Sequence, residues 1–361
     1  MDAKEKTAKI FFTSKLMAWN KKINNRLMPW KGIKDPYKIW LSEIILQQTR
    51  VEQGLDYYNN FVKKYPTIND LANANENEVF KNWEGLGYYT RCKNLIATAK
   101  YISNEKSGIF PSSYEEIINL KGVGPYTAAA ISSFAFNLPH AVVDGNVMRV
   151  LTRFFGIATP IDTAEGKSLL NTLAQELLDK KNADKYNQAI MDFGATVCKP
   201  KQPICNTCNL SKNCHSFDIS NPEAFPKKSK AKAKTNRWFI YFVQMYKSKV
   251  LVGKRQQKDI WENLFEFPKI EFNEFPTLDL LYNSENIDLI KKIGLKITKI
   301  PQFQFQLLTH QKIHVCFIDI DLKKEIQLHH FEYVDLKTLK KLAFPKIIAA
   351  FIQMNNFKKS S

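Results

Sequence analysis

The chain has 361 residues, which suggests two domains or three at about 150 residues each. Lysine and arginine outnumber aspartate and glutamate by 53 to 35, and the net charge of +18 favours nucleic acid as partner over an anionic membrane surface. The 44% hydrophobic content excludes a disordered or fibrous chain, and no apolar run approaches the roughly 20 residues that span a bilayer. Because Met1–Lys9 is polar and unlike a signal peptide, we expect a soluble protein that stays where it is made.

The chain up to about residue 220 has the apolar spacing of helices, with little of the alternation that marks strands. Proline and glycine separate the segments, which indicates an almost entirely helical domain. The predicted helices are Ile10–Asn20, Pro36–Val51, Leu55–Lys64, Glu76–Trp83 and Leu169–Lys180.

The stretch Pro226–Asn236 contains five lysines, no acid and no large apolar residue, so we expect a solvated basic connector. Beyond it the composition predicts a smaller mixed α/β domain. Its expected strands are Trp238–Tyr246, Lys249–Lys254 and Lys312–Ile320, and its expected helices are Gln327–Leu342 and Pro345–Gln353. The predicted division is therefore 1–225, 226–236 and 237–361.

Four of the six cysteines, Cys198, Cys205, Cys208 and Cys214, fall within 17 residues. Such a cluster in a large basic chain indicates a metal centre in a reducing compartment rather than a disulfide scaffold. Structural zinc usually takes two C-x2-C pairs and only one is present, whereas a [4Fe–4S] cluster tolerates uneven spacing. Spacing alone leaves both metals open, and four free thiols without metal fit least well.

The segment Ser113–Phe136 predicts two helices joined by a tight turn that contains Gly122 and Gly124. Glycines let the backbone approach another surface closely, and amides at the start of the second helix can bind an anion. In a basic protein this favours a helix–hairpin–helix that binds a DNA phosphate. A plain loop between packed helices is the alternative.

Glu43 has mainly apolar neighbours at helical spacing, so its helix is expected to be buried. A buried acid without a cationic partner has a raised pKa and can hold a proton near neutral pH. The ordinary alternative is a salt bridge to Arg50 two turns later.

Asp144 follows the apolar run 141–143 and precedes a predicted helix, which indicates an N-cap. A capping carboxylate that accepts backbone hydrogen bonds stays ionised and can stabilise a developing cation. One protonated acid and one ionised acid are what cleavage of a glycosidic bond requires.

These residues resemble the MutY-type adenine DNA glycosylases of the helix–hairpin–helix, endonuclease-III-like superfamily. The resemblance spans nearly the whole chain. It is carried by SEIILQQTRV (42–51), GLGYY (85–89), GVG (122–124), VDGNVMRV (143–150), NQA (187–189) and the four-cysteine loop.

The resemblance implies excision of adenine mispaired with 8-oxoguanine or guanine in duplex DNA. Glu43 would protonate the purine at N7, Asp144 would stabilise the cationic sugar, and Asn146 would orient Asp144. Tyr126 occupies the position where strand-cleaving relatives have a Schiff-base lysine. The enzyme is therefore expected to be monofunctional and to leave an abasic site.

The resemblance also implies the residues that contact substrate and DNA. Gln48 and Tyr88 would intercalate beside the lesion, although a core aromatic is an equal interpretation of Tyr88. Gln188 would contact adenine. The other predicted contact residues are Arg26, Trp30, Lys31, Thr49, Gly122 and Gly124.

The C-terminal part resembles a Nudix-like lesion-recognition domain through Phe265–Pro268, but it has no R-E-x-x-E-E run. Without those carboxylates it is expected to bind 8-oxoguanine rather than to hydrolyse a nucleotide. The family's Phe-Ser-His turn appears as Leu308-Thr309-His310, which makes Thr309 and His310 the predicted reading residues.

The resemblance assigns the cysteine ligands to a [4Fe–4S] cluster, and we expect a monomer in the bacterial cytoplasm, associated with the nucleoid. Two other functions fit the sequence less well. A glycosylase of the same fold acting on another base is disfavoured by Tyr126 and the Nudix-like domain. A non-catalytic iron–sulfur DNA-binding protein would have no use for Glu43 and Asp144.

Overall fold

The computed structural model describes residues 3–230, 233–256, 258–282, 297–322 and 324–355. The chain forms two compact units. The first comprises Met1–Ala72 and Ala97–Ala231, and the second comprises Asn73–Ile96 and Lys232–Ser361. Residues 231 and 232 of the predicted connector lie outside the described residues, and the predicted boundaries at 225 and 236 stay a prediction.

The first 220 residues are helical, as predicted. In chain order the helices are α1 (Ala3–Lys22), α2 (Pro36–Leu46), α3 (Val51–Lys64), α4 (Ile68–Asn73), α5 (Glu76–Trp83), α6 (Thr90–Glu105), α7 (Tyr114–Ile118), α8 (Pro125–Phe136), α9 (Gly145–Phe155), α10 (Ala164–Leu177), α11 (Ala183–Thr196) and α12 (His215–Asp218). Short 3₁₀ turns lie at Lys180–Asn182, Ser211–Asn213 and Pro222–Ala224.

The helix predicted for Pro36–Val51 ends earlier than expected, and this prediction was wrong at its end. α2 stops at Leu46, and Gln48 adopts a left-handed conformation with φ 57° before α3 begins at Val51. The apolar spacing continues across the break, so periodicity could not show it.

Local signals at the helix starts explain why α2 and α9 begin where they do. The Asp35 side chain accepts hydrogen bonds from the backbone N–H groups of Tyr37 and Lys38 at the start of α2. Pro36 suits the first helical position because it has no backbone N–H that would need a partner there. Asp144 accepts a hydrogen bond from Val147 N at the start of α9. The same capping geometry that starts α9 therefore fixes the position of a candidate catalytic carboxylate.

The core of the first unit includes an aromatic group on α1, α9 and α11. The rings of Phe12 and Phe154 lie 4.9 Å apart, and those of Trp19 and Phe193 lie 5.0 Å apart at 89°. These buried rings connect α9 and α11 to α1. α9, which Asp144 caps, and α11, which carries Gln188, therefore pack against the same apolar core.

The second unit contains a seven-stranded mixed sheet in its described residues. The strands are β1 (Thr235–Tyr246), β2 (Lys249–Lys254), β3 (Phe265–Glu266), β4 (Lys269–Phe272), β5 (Gln304–Leu307), β6 (Gln311–Asp321) and β7 (Phe331–Asp335). The main strand order is β3-β2-β1-β6-β5, with β4 pairing β1 and β7 pairing β2. β1 and β6 are parallel, with Thr235 opposite Gln311 and Met245 opposite Asp321.

The helices α13 (Leu278–Tyr282), α14 (Leu336–Leu339) and α15 (Lys346–Met354) complete the described part of the second unit. The three predicted strands and the predicted C-terminal helix are present. The helix predicted for Gln327–Leu342 was wrong: Phe331–Asp335 pairs with β2 as β7, and only α14 is helical. Pairing with β2 outweighed the local helical pattern.

Side chains of residues 73–96 bond other parts of the second unit, to which this segment belongs. Lys81 Nζ donates to Leu342 O at 3.0 Å, and Phe344 N donates to a Glu84 carboxylate oxygen at 2.9 Å. Lys93 forms an ion pair with Glu262 at 2.7 Å. These long-range contacts leave no local trace in the sequence.

Candidate active site

A cavity of about 320 Å³ in the first unit brings together the predicted catalytic residues. Glu43 reaches it from α2, Tyr126 from α8, and Asp144 and Asn146 from the start of α9. Five of the predicted contact residues line the same cavity: Arg26, Trp30, Lys31, Thr49 and Gln188. The two acids, 101 positions apart in the chain, therefore share one cleft.

Glu43 is a buried acid with a hydroxyl partner. It is 6% exposed, and Tyr126 Oη donates a hydrogen bond to Glu43 Oε2 at 2.8 Å. In the described residues it has no cationic partner, so the alternative salt bridge to Arg50 is not formed. Burial raises the pKa of Glu43 to about 7, the Tyr126 hydrogen bond opposes this, and the charge of Asp144 adds to it.

Tyr126 is held as a donor. Burial, followed by the charges of Glu43 and Asp144, raises the pKa of this phenol well above its ordinary value. The hydroxyl therefore keeps its proton and directs it to Glu43. Trp30 also lines the cavity, and its ring packs edge-to-face on Tyr58 with the ring centroids 5.2 Å apart.

Asp144 accepts two hydrogen bonds at the start of α9. Val147 N donates to Oδ1 at 2.8 Å, and Asn146 Nδ2 donates to Oδ2 at 2.6 Å. Burial raises the pKa of Asp144 above its ordinary value, against these hydrogen bonds and the positive charge of Arg149. The sequence predicts an ionised Asp144 from its capping hydrogen bonds but does not show its burial, which acts in the opposite direction.

Arg149, one turn into α9, was not predicted as a site residue. Its NH2 group donates to Asn146 Oδ1 at 2.9 Å and to Gly194 O at 2.7 Å, and its Nε donates to Cys198 O at 2.8 Å. With its oxygen occupied by Arg149, the Asn146 amide must turn its nitrogen to Asp144. The guanidinium thus connects the Asp144–Asn146 pair to the first cysteine of the loop.

Gly194 on α11 is a second residue that the sequence interpretation missed. A methyl group there would lie 2.7 Å from Asn146 Cβ and 3.0 Å from Asn146 O. Its absence of a side chain is what lets α11 approach the start of α9. A glycine inside a helical pattern was the available signal.

Two predicted DNA-contacting features of the first unit lie outside the cavity lining. Gln48 is exposed in the left-handed conformation, which a residue with a side chain adopts only at a cost. The predicted hairpin is present between α7 and α8, with Gly122 at φ 81° and Gly124 as the N-cap of α8. A Cβ on Gly124 would meet nothing within 4 Å, so its face is open.

Tyr88, Thr309 and His310 line a cavity of about 390 Å³ in the second unit. The hydroxyls of Tyr88 and Thr309 are 2.6 Å apart. Tyr88 is 46% exposed and has φ 47°, so the alternative of a core aromatic is wrong. Thr309 and His310 occupy the turn between β5 and β6, which is closed by a 2.8 Å hydrogen bond from Leu308 N to Gln311 O.

The four clustered cysteines line one apolar cavity with Arg153 and Phe193. Arg153 NH1 lies 3.4 Å from Cys198 Sγ and 2.7 Å from Lys199 O, which fixes the loop at its first cysteine. Burial raises the pKa of Cys208 to about 11. Among the described residues, no group of three or more His, Cys, Asp or Glu side chains is arranged so that it could hold a metal ion.

In the ranges that the structure describes, no helix is both long enough and apolar enough to cross a membrane.

Comparison with known proteins first defines the class. Residues 41–176 match the HhH-GPD superfamily of base excision DNA repair proteins, and residues 240–354 match a NUDIX domain. A thermostable thymine-DNA glycosylase structure superposes with a TM-score of 0.55 at 30% identity, covering 60% of this chain and 100% of that one. An endonuclease III–DNA complex has a TM-score of 0.52 at 19% identity, covers 61% and 99%, and shows the fold alone.

The particular family follows from curated relatives. The adenine DNA glycosylase of Buchnera aphidicola subsp. Baizongia pistaciae is 38% identical over 79% of this chain and 80% of its own. That of Buchnera aphidicola subsp. Schizaphis graminum is 31% identical over 95% and 98%. The chain belongs to the adenine DNA glycosylases of base excision repair.

Proposed function

We propose that the cavity of the first unit hydrolyses the N-glycosidic bond of adenine mispaired with 8-oxoguanine or guanine and leaves an abasic site. The observation that carries this proposal is the shared cleft of Glu43 and Asp144. Their environments differ. Within the described ranges Glu43 has a hydroxyl donor and no cationic partner, whereas Asp144 has a backbone amide and a side-chain amide as donors. Such a pair supplies one acid and one anion.

Glu43 is the general acid of the proposed reaction. With a pKa of about 7 it holds a proton for a sizeable share of the time at neutral pH. It transfers this proton to N7 of the extruded adenine. The bond between C1′ and N9 then breaks, and its electron pair leaves with the base.

Asp144 is the anion beside the sugar. Two hydrogen-bond donors hold it at the start of α9, where the helix dipole also favours negative charge. It stabilises the cationic sugar or traps it covalently. Water adds at C1′, and the proton that water loses restores the Glu43 carboxyl.

The reaction stops at the abasic site, because Tyr126 occupies the position where strand-cleaving relatives have their Schiff-base lysine. A phenol has no amine with which to form the imine that precedes strand cleavage. The phenol proton is instead donated in a hydrogen bond to Glu43. The proposal therefore specifies a hydrolase without lyase activity.

The direct experiment uses a duplex with one 8-oxoguanine:A pair, labelled on the adenine strand. The strand should break at that adenine when alkali follows incubation and should stay intact without alkali. Breakage without alkali would contradict the role of Tyr126. Absence of breakage after alkali would contradict adenine excision.

We also propose that Cys198, Cys205, Cys208 and Cys214 hold a [4Fe–4S] cluster. Each thiolate of such a cluster binds a different iron, so the sulfurs surround a cube, whereas zinc requires four sulfurs about 2.3 Å from one point. The one apolar cavity that all four cysteines line supports this proposal. Purified protein should contain iron and absorb broadly in the visible range, and Cys208→Ser should lose both. Stoichiometric zinc would contradict the assignment.

The second unit is the proposed reader of the opposite base through Thr309, His310 and Tyr88. The hairpin glycines, Gly122 and Gly124, and the exposed Gln48 are proposed to contact DNA in the first unit. Binding should weaken as salt rises, because lysine–phosphate contacts release counterions. We expect a monomer acting at the nucleoid of a bacterial cytoplasm, which the bacterial relatives support.

A further inference from the structure

Asp192 on α11 is a buried carboxylate that nothing above assigns a role. Its side chain is 0% exposed and accepts hydrogen bonds from four different side chains. The donors are Asn24 Nδ2 at 2.9 Å, Arg26 NH1 at 3.0 Å, Lys31 Nζ at 2.9 Å and Gln188 Nε2 at 3.0 Å. Three of these donors, Arg26, Lys31 and Gln188, line the candidate active-site cavity.

The carboxylate determines which way the Gln188 amide faces. Asp192 has two cationic partners, and an ionised carboxylate can only accept hydrogen bonds. The amide nitrogen of Gln188 must therefore face Asp192. No described residue donates to Gln188 Oε1, which leaves this oxygen as an acceptor for a ligand in the cavity.

We propose that Asp192 is a specificity-determining positioning residue, which holds Gln188 Oε1 towards a base with an amino group at C6. This inference rests on the proposed function. Adenine carries that amino group, whereas hypoxanthine has a carbonyl oxygen at the same carbon. An oxygen facing an oxygen leaves two acceptors unpaired, and such a loss lowers the rate for hypoxanthine roughly 10- to 100-fold.

A purely structural role for Asp192 predicts a different outcome. The residue also connects the segment that carries Asn24, Arg26 and Lys31 to α11, so its loss could loosen the whole cavity wall. Loosening would lower the rates for adenine and hypoxanthine together. Only a role in orienting the amide changes their ratio.

The test measures single-turnover release of adenine and of hypoxanthine, each paired with 8-oxoguanine in the same duplex. Both bases retain N7, so the proton transfer from Glu43 is common to them. Asn24 and Lys31 donate to Asp192 Oδ2, whereas Arg26 and Gln188 donate to Oδ1. In Asp192→Asn the amide oxygen should replace Oδ2, because the Asn24 amide is also bonded to Asn20 and to Arg26 N and would lose both bonds if it turned over. The amide nitrogen then replaces Oδ1 and faces Gln188, and the Arg26 contact is lost. The Gln188 amide then turns over and presents a donor, so the adenine-to-hypoxanthine ratio should fall at least 10-fold.

A reciprocal exchange separates orientation from damage to the fold. The double variant Gln188→Glu/Asp192→Asn keeps the net charge and again leaves an acceptor facing the cavity, so it should restore the preference for adenine. Glu176→Gln is the matched control, because Glu176 is a half-exposed carboxylate paired with Lys9. Its ratio should equal that of the wild type.

Three results would count against the inference. An unchanged ratio in Asp192→Asn, with adenine still released by the wild type, overturns it alone. Failure of the double exchange to restore the ratio also overturns it, and this result decides the matter if the single variant does not fold. A wild-type chain that releases no adenine overturns the proposed function, and this inference with it.

Discussion

Tyr126 Oη donates a 2.8 Å hydrogen bond to Glu43 Oε2 inside the cavity of the first unit. This hydrogen bond lowers the pKa of Glu43. Burial raises the same pKa, and its effect is the larger of the two. The balance places the pKa at about 7, where the carboxyl can both hold and release a proton.

Tyr126→Phe should raise the pKa of Glu43 because it removes the hydrogen bond that lowers this pKa. The fall in single-turnover rate on the alkaline side should therefore move to higher pH. Tyr114→Phe is the control, since Tyr114 stacks on His140 and makes no hydrogen bond to Glu43. A shift to lower pH in Tyr126→Phe would contradict the assigned direction.

Glu43→Gln should stabilise the fold at neutral pH and above. The folded-state pKa of about 7 exceeds the ordinary 4.5, so the wild type loses stability as pH rises between these values. The free energy of unfolding of the variant should exceed that of the wild type by about 3 kcal/mol above pH 7. Denaturant unfolding at acidic and alkaline pH measures this, and a pH-independent difference would refute it.

Gly194→Ala should impair catalysis by displacing Asn146. The added methyl would lie 2.7 Å from Asn146 Cβ, and overpacking of this kind costs about 1–3 kcal/mol. Because Asn146 holds Asp144, base release should fall roughly 10-fold or more while DNA binding persists. Wild-type turnover in this variant would show that the contact between α11 and the start of α9 is unimportant.

Tyr88→Phe and Thr309→Val should each weaken the preference for 8-oxoguanine:A over G:A. Each removes one hydroxyl of the 2.6 Å contact, and a hydrogen bond of this kind changes a rate or affinity about 2- to 10-fold. The double variant should lose no more than the larger single effect, because one contact is removed in every case. Tyr101→Phe, at a tyrosine of equal exposure, should leave the preference unchanged.

The sequence allowed much of this architecture to be predicted, and particular residues show where it stopped. Apolar neighbours of Glu43 predicted its burial, and the position of Asp144 before a helix predicted its capping role. Both depend on local pattern. Asp192 was missed because its partners Asn24, Arg26 and Lys31 lie more than 160 positions away in the chain. The contacts that place residues 73–96 in the second unit are also long-range and were missed for the same reason.

The signal for Asp192 was nevertheless present. An acid in the apolar run Ile190-Met191-Asp192-Phe193, one turn after Gln188, indicates a buried charge that needs partners. The identity of those partners could not be read from spacing. The end of α2 was missed for a similar reason, since the left-handed residue is a glutamine rather than a glycine.

The pH dependence of single-turnover adenine release from an 8-oxoguanine:A duplex tests the central claim most directly. The wild-type rate should fall above about pH 7 with the slope of one proton, since Glu43 must be protonated to act. Glu43→Gln should bind the same duplex while its rate drops roughly 10²- to 10⁴-fold and loses this alkaline fall. A Glu43→Gln variant with wild-type rate and profile would contradict the account.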